Sequence, residues 1–133
     1  MPTTTRRTAR ILALLVPLSL ATAGCSDSGT EPRADPTVSG SWTGTSQGIT
    51  VNLVLNEGIG GAVAGSGNIS GGELNLALVV RQGTHAYPNL TLVLGAQGFE
   101  DMNFTGTLLS ETQIAGTLNG SGFDGFNLNL ARQ

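Results

Sequence analysis

Basic residues are scarce in this sequence of 133 residues, and lysine is absent. From Cys25 onward, nine acidic residues stand against only Arg33, Arg81 and Arg132, which gives this part of the chain a net charge of −6. A nucleic-acid partner needs a basic face that neutralises phosphates. Electrostatic attachment to anionic lipid headgroups needs clustered basic residues. The composition therefore argues against both modes of binding.

Cysteine and histidine each occur once, as Cys25 and His85. A single cysteine cannot form an intramolecular disulfide, and a single histidine excludes a histidine-rich metal site. Aromatic residues make up 5% of the chain, too few for the aromatic girdles of a transmembrane β-barrel. We therefore expect no metal, no cofactor and no membrane-spanning barrel.

The first 24 residues have the three parts of a secretory signal sequence. Residues 1–10 contain three arginines and no acid, and residues 11–20 are apolar apart from Pro17 and Ser19. Small residues follow. An apolar run of this length is short for a bilayer core of roughly 30 Å. We predict that residues 1–24 are a signal peptide.

The end of this segment resembles the lipobox of bacterial lipoproteins. In that family a small residue precedes a cysteine, which receives a diacylglyceryl group and becomes the mature N-terminus. Ala23, Gly24 and Cys25 fit this pattern, whereas Thr22 stands where leucine is usual. The resemblance implies that lipid on Cys25 anchors the protein to the cell envelope on the extracytoplasmic side. Ser26 implies sorting to the outer membrane in an organism that has one.

The rest of the chain divides into a linker and one domain. Residues 26–39 are polar and contain two prolines. Such a segment buries too little apolar surface to fold, so we predict that residues 25–39 are the acylated cysteine and a flexible, disordered tether. Residues 40–133 are long enough for a single domain with a modest core.

Apolar and polar residues alternate with period two through residues 40–133, and no stretch shows helical periodicity over three turns. This alternation is the signal of β-strands with one buried face. It predicts eight strands, at about 40–47, 49–57, 62–70, 73–81, 89–95, 101–109, 112–118 and 125–132. Short glycine-rich connections favour antiparallel neighbours.

A second pattern indicates how the sheet bends. A four-residue motif occurs four times: a large apolar residue comes first, then Thr or Ala, then Gly, then Thr or Ser. Its copies are Trp42–Thr45, Val63–Ser66, Phe104–Thr107 and Ile114–Thr117. The glycine shares a face with the large residue, and an inward glycine marks a bend at a barrel corner. We predict an all-β fold, an antiparallel up-and-down meander closed, or nearly closed, as a small barrel.

The first predicted strand opens with Gly40, Ser41 and Trp42. This is similar to the Gly-x-Trp that opens the barrels of lipocalins and avidins, in which an arginine from near the last strand packs over the tryptophan. The resemblance implies that Arg132 makes a cation–π contact with Trp42, and that the barrel mouth binds a small apolar ligand. The alternative is that Trp42 only fills one end of the core.

Reactive side chains are concentrated in the segment from Arg81 to Pro88, which we interpret as a loop. Arg81, His85 and Tyr87 could form a ligand site at the mouth of the barrel. The alternative is an exposed polar loop without a role in binding. A catalytic triad would need a hydroxyl and a carboxylate around His85, and no hydroxyl is marked by its sequence context.

These observations favour a non-enzymatic protein, a membrane-anchored binding or interaction module of the cell envelope. A lipocalin-like carrier of a small apolar ligand is the first alternative, and an envelope hydrolase that uses His85 is the second. The expected partners are the membrane, through the lipid on Cys25, and either a small apolar ligand or an envelope protein or glycan. The volume of the barrel interior distinguishes the module from the carrier, because a carrier needs an internal space for its ligand. Inward glycines opposite leucines predict a narrow, filled barrel, which favours the module.

Overall fold

Residues 34–133 are described by a computed structural model, and the predicted signal peptide and Cys25 lie outside the described residues. Residues Ala34–Gln133 form one unit. Its strands are β1 (Gly40–Ser46), β2 (Ile49–Glu57), β3 (Val63–Gly71), β4 (Leu74–Ala86), β5 (Asn89–Gly95), β6 (Met102–Ser110), β7 (Gln113–Gly120) and β8 (Phe123–Arg132). A 3-10 turn over Ile59–Gly61 lies between β2 and β3.

The strands form a closed barrel in sequence order. Each strand pairs antiparallel with the next one along the chain, and β1 pairs with β8 through Trp42↔Arg132 and Thr43↔Ala131. Beyond this pairing, the Gln133 N–H donates to the Ser41 carbonyl at 2.9 Å. The predicted all-β, up-and-down barrel is confirmed, and it is fully closed.

The interior of the barrel is filled by side chains. Phe104 and Leu128 are fully buried, and apolar residues from all eight strands belong to one core cluster. The inward glycines make room for this core. A Cβ atom at Gly116 would lie 2.5 Å from the Phe104 ring, and one at Gly44 would lie 2.9 Å from a Leu130 methyl group. The narrow, filled interior that the sequence favours is therefore present around these positions.

Strand β4 is longer than the sequence predicts, and the interpretation of residues 81–88 as a loop is wrong over most of its length. The strand continues to Ala86 because a β-bulge shifts the register between Val80 and Gln82. The bulge leaves two consecutive outward residues and then returns Gly83 and His85 to the inward face. The sequence pattern does not predict the part of β4 after the bulge, because the extra residue breaks the period-two alternation.

The folded unit also begins before the predicted domain boundary at Gly40. Val38 is fully buried, and its carbonyl accepts a 2.8 Å hydrogen bond from the Trp42 indole Nε1. Residues 37–39 thus lie against the barrel instead of belonging to a free tether. We call them the docked segment.

Candidate functional site

The predicted site residues are divided between the two ends of the barrel. Trp42, His85, Tyr87 and Arg132 lie where β1 begins and where β4 and β8 end, which we call the Trp42 end. Arg81 lies four residues back along β4, roughly 13 Å away for an extended strand. It pairs there with Asp101 at 2.8 Å. The structure therefore does not bring Arg81 together with His85 and Tyr87.

Trp42 and Arg132 are in contact, as the resemblance to lipocalins implies. The Arg132 guanidinium carbon lies 4.4 Å from the centroid of the Trp42 ring. The guanidinium also donates to three backbone carbonyls, those of Ser39, Thr37 and Glu111. Trp42 is fully buried. This geometry favours the alternative that Trp42 fills one end of the core, and Arg132 covers it there.

His85 is the buried polar residue at this end, with 6% of its surface exposed. Its Nδ1 lies 2.9 Å from Oε1 of Glu57 at the end of β2. A carboxylate only accepts hydrogen bonds, so Nδ1 carries the hydrogen of this contact. The Tyr87 ring stands edge-on to the His85 ring, with the two centroids 6.3 Å apart.

The Glu57 carboxylate also holds the docked segment. Its Oε2 accepts hydrogen bonds from the Val38 N–H and the Thr37 hydroxyl, both at 2.9 Å. In return, the Glu57 N–H donates to the Ser39 hydroxyl at 2.8 Å. Partial burial by itself would raise the pKa of Glu57, but the hydrogen bonds from Val38, His85 and Thr37 outweigh it and lower the pKa below its ordinary value of 4.5.

The second ring nitrogen of His85, Nε2, is buried and has no hydrogen-bond partner among the described residues. A nucleophile–histidine–acid triad needs a hydroxyl at this atom. The residues described here do not provide one, so His85 and Glu57 form a pair that ties β4 to β2 and to the docked segment.

The opposite end of the barrel holds an apolar cavity of about 170 Å³. We call it the Phe123 end, because this residue lines the cavity at the start of β8. The other lining residues are Ile69, Leu74, Leu76, Phe99, Met102, Ser121 and Gly122. The Phe99 side chain is 48% exposed at the rim. A cavity of roughly 150 Å³ lined by Leu, Ile and Phe is large enough to bind benzene.

The sequence did not predict Glu57 or the cavity as functional features. For Glu57 a signal exists, because alternation along β2 places it on the same face as Leu53 and Leu55. An acid at an inward position needs a buried partner. No comparable signal marks the cavity, because its lining comes from four separate strands and two connections.

We find no helix within residues 34–133 that is long and apolar enough to cross a bilayer. In the same part of the chain, no three histidine, cysteine or acidic side chains are close enough together to hold a metal ion.

The fold and these two ends define a small closed meander barrel with a buried histidine–glutamate pair at one end and an apolar cavity at the other. No protein family, curated protein or solved structure matches the chain. The resemblances to lipoproteins and to lipocalins therefore rest on the sequence motifs alone.

Proposed function

We propose that this chain is an exported bacterial lipoprotein, anchored to the cell envelope by lipid on Cys25, whose barrel is a binding module that captures a small apolar group. The observation that carries the binding part of the proposal is the cavity of about 170 Å³ at the Phe123 end. The motif from Ala23 to Cys25 supports the lipid anchor.

The location of the cavity also supports a binding role. The described chain begins at Ala34, and the docked segment and Arg132 close the Trp42 end. The Phe123 end lies at the other end of the strands, away from the point where the predicted tether joins. A cavity placed there stays accessible when the protein is attached through its N-terminal segment.

The alternative of a lipocalin-like carrier, which encloses a small apolar ligand inside the barrel, has less support from the geometry. Phe104 and the leucines of the core occupy the space that a lipocalin-like carrier would need for its ligand. The remaining cavity accommodates a group of about the size of benzene. The geometry therefore favours capture of a small molecule, or of an exposed apolar group on a larger one.

The experiment that tests the binding function is native mass spectrometry of the lipidated protein, extracted gently from its own membrane. We expect a discrete adduct that is lost on mild activation. The adduct should be reduced in Phe99→Ala, which removes part of the cavity rim. It should persist in Leu109→Ala, which alters an exposed apolar side chain outside this cavity. A bare mass for the wild type would contradict capture of a small apolar molecule.

The anchor is tested separately with Cys25→Ser. We expect the wild-type protein to incorporate an alkyne-labelled fatty acid and to sediment with membranes, and the variant to do neither. Equal membrane association of the two proteins without label incorporation would contradict the anchor and leave the binding result unaffected.

A further inference from the structure

Four acidic residues are next in sequence to residues that line the apolar cavity at the Phe123 end. Glu73, Glu100, Asp101 and Asp124 all lie at this end of the barrel, and all four are exposed. Each of them is a direct chain neighbour of a residue that lines the cavity, namely Leu74, Phe99, Met102 and Phe123, respectively. The Cα atom of each acidic residue is therefore roughly 3.8 Å from the Cα atom of a lining residue, and its exposed carboxylate lies on the solvent side of that residue.

These negative charges are not balanced locally. Arg81 is the only cationic residue at this end within residues 34–133, and it pairs with Asp101 at 2.8 Å. Four carboxylates against one guanidinium leave a net charge of −3 at this end of the barrel. The other described arginine, Arg132, lies at the Trp42 end, where backbone carbonyls and the Trp42 ring surround it.

An apolar cavity with a negative rim distinguishes ligands by charge. The apolar part of a ligand gains by leaving water for the cavity, and a charged part stays at the rim in contact with solvent. The low-dielectric wall focuses the field of the carboxylates toward the mouth, which attracts a cation and repels an anion. The half-exposed Phe99 ring at the rim can also stack on a cationic head.

We propose that the cavity at the Phe123 end binds small apolar molecules that carry a positive charge, such as an aromatic or short aliphatic group bearing an ammonium. This inference rests on the proposed binding function and specifies the ligand class of the same site. The apolar part occupies the cavity between Leu74 and Phe123, and the ammonium lies among the carboxylates of the rim.

Three probes with one aromatic ring and different charge test the proposal: benzyltrimethylammonium, benzyl alcohol and phenylmethanesulfonate. The full lipidated protein is placed in nanodiscs of zwitterionic lipid, and empty nanodiscs correct for partitioning. Met102 lines the cavity and is the only methionine after residue 1. Its ¹³C-labelled methyl group therefore reports binding as one resolved signal, and the Trp42 indole signal reports on the opposite end.

We expect the cation to shift the Met102 signal and to bind about three- to tenfold more tightly than the neutral probe at low salt. The anion should bind more weakly than either. The ratio of the affinities for the cationic and the neutral probe should fall toward one at roughly 0.5 M salt, because salt screens exposed charges. The Trp42 signal should not move with any probe.

Substitutions separate the preference for a cation from the binding of the apolar group. Replacing the three carboxylates without a paired arginine, in Glu73→Gln/Glu100→Gln/Asp124→Asn, should abolish the preference for the cation and leave the affinity for benzyl alcohol unchanged. Asp124→Asn alone should weaken the preference for the cation, and its matched control is Asp35→Asn, which removes one carboxylate at the Trp42 end. This control should leave the preference as it is.

Each alternative result has a definite meaning. If all three probes bind equally, or if the triple variant keeps the preference for the cation, the ligand class is wrong and the binding site stands. If no probe moves the Met102 signal, the binding function proposed for this cavity is wrong as well.

Discussion

The Glu57 carboxylate connects three parts of the chain that are distant in sequence. Through its two oxygens it contacts His85 on β4 and the docked segment at Thr37 and Val38. Its side chain is 18% exposed, so these hydrogen bonds are partly shielded from water. Glu57 is therefore one of the residues that hold the Trp42 end closed.

We expect Glu57→Gln to lower the free energy of unfolding by about 1–3 kcal/mol. Glutamine has one acceptor oxygen where glutamate has two, so either the Val38 N–H or the His85 Nδ1–H would face an amide group. Urea denaturation followed by Trp42 fluorescence measures the change. Glu73→Gln, at an exposed turn, is the matched control and should change stability by less than about 0.5 kcal/mol. Equal effects of the two substitutions would show that the contacts of Glu57 do not stabilise the fold.

The same contacts predict a pH dependence. The pKa of Glu57 is lower in the folded protein than its ordinary value of 4.5. The ionised group therefore stabilises the fold above the unfolded-state pKa, and this contribution is lost as the pH falls through the lower folded-state value. We expect the stability difference between wild type and Glu57→Gln to be constant at neutral pH and to shrink below about pH 4.5. A difference that grows on acidification would contradict the assigned direction of the shift.

Arg132 is the second residue that closes the Trp42 end, and its planar guanidinium is essential to its contacts. Lysine keeps the charge but cannot reach three carbonyls while stacking on the Trp42 ring. We expect Arg132→Lys to destabilise the protein by about 1–2 kcal/mol and to shift the Trp42 emission. Arg81→Lys is the matched control, because Arg81 makes an exposed ion pair, and it should cost less than about 0.5 kcal/mol. If Arg81→Lys lowers the free energy of unfolding as much as Arg132→Lys does, the contacts of Arg132 at the Trp42 end do not explain the destabilisation.

Strands β6 and β7 have glycines on their inward faces, and these glycines leave room for an aromatic ring of the core. Gly106 and Gly116 are directly opposite each other in the register, and the Phe104 ring covers both positions. In the copy of the motif at Phe104, the inward glycine therefore provides space for the large residue of its own motif. In the copies at Trp42, Val63 and Ile114, the glycine makes room for groups on neighbouring strands.

We expect Gly116→Ala to destabilise the barrel by about 1–3 kcal/mol through overpacking. The new Cβ would lie 2.5 Å from the Phe104 ring and 2.7 Å from the Thr105 carbonyl oxygen. Gly58→Ala is the control, since its Cβ would have no neighbour nearer than 3.7 Å and its φ of −98° suits alanine. Thermal unfolding of both variants checks the prediction. A neutral Gly116→Ala would mean that the core around Phe104 is loosely packed.

Closure of the barrel makes the two ends parts of one hydrogen-bonded sheet. Each strand has two neighbours, and β1 and β8 complete the ring. A sheet without edges offers no strand that can separate first, so we expect the barrel to unfold as one cooperative unit.

The test uses the two single reporters at the two ends of the barrel. In one urea titration, Trp42 fluorescence and the ¹³C-methyl signal of Met102 should give the same midpoint within error. Two separate midpoints would show that the Trp42 end and the Phe123 end unfold independently. The closed sheet would then not unfold as one cooperative unit.

The fold class, the number of strands and most strand positions could be predicted from the sequence, because period-two alternation and glycine-rich turns are local signals. The contact of Trp42 with Arg132 was predicted from the resemblance to lipocalins and avidins. Four features could not be predicted: the bulge at Arg81, the burial of His85, its pairing with Glu57 and the docking of residues 37–39. These features depend on register between strands and on contacts across 18 to 95 residues of sequence, which no local pattern contains. The cavity at the Phe123 end has the same origin, since its wall forms only when the barrel closes and brings its lining residues together.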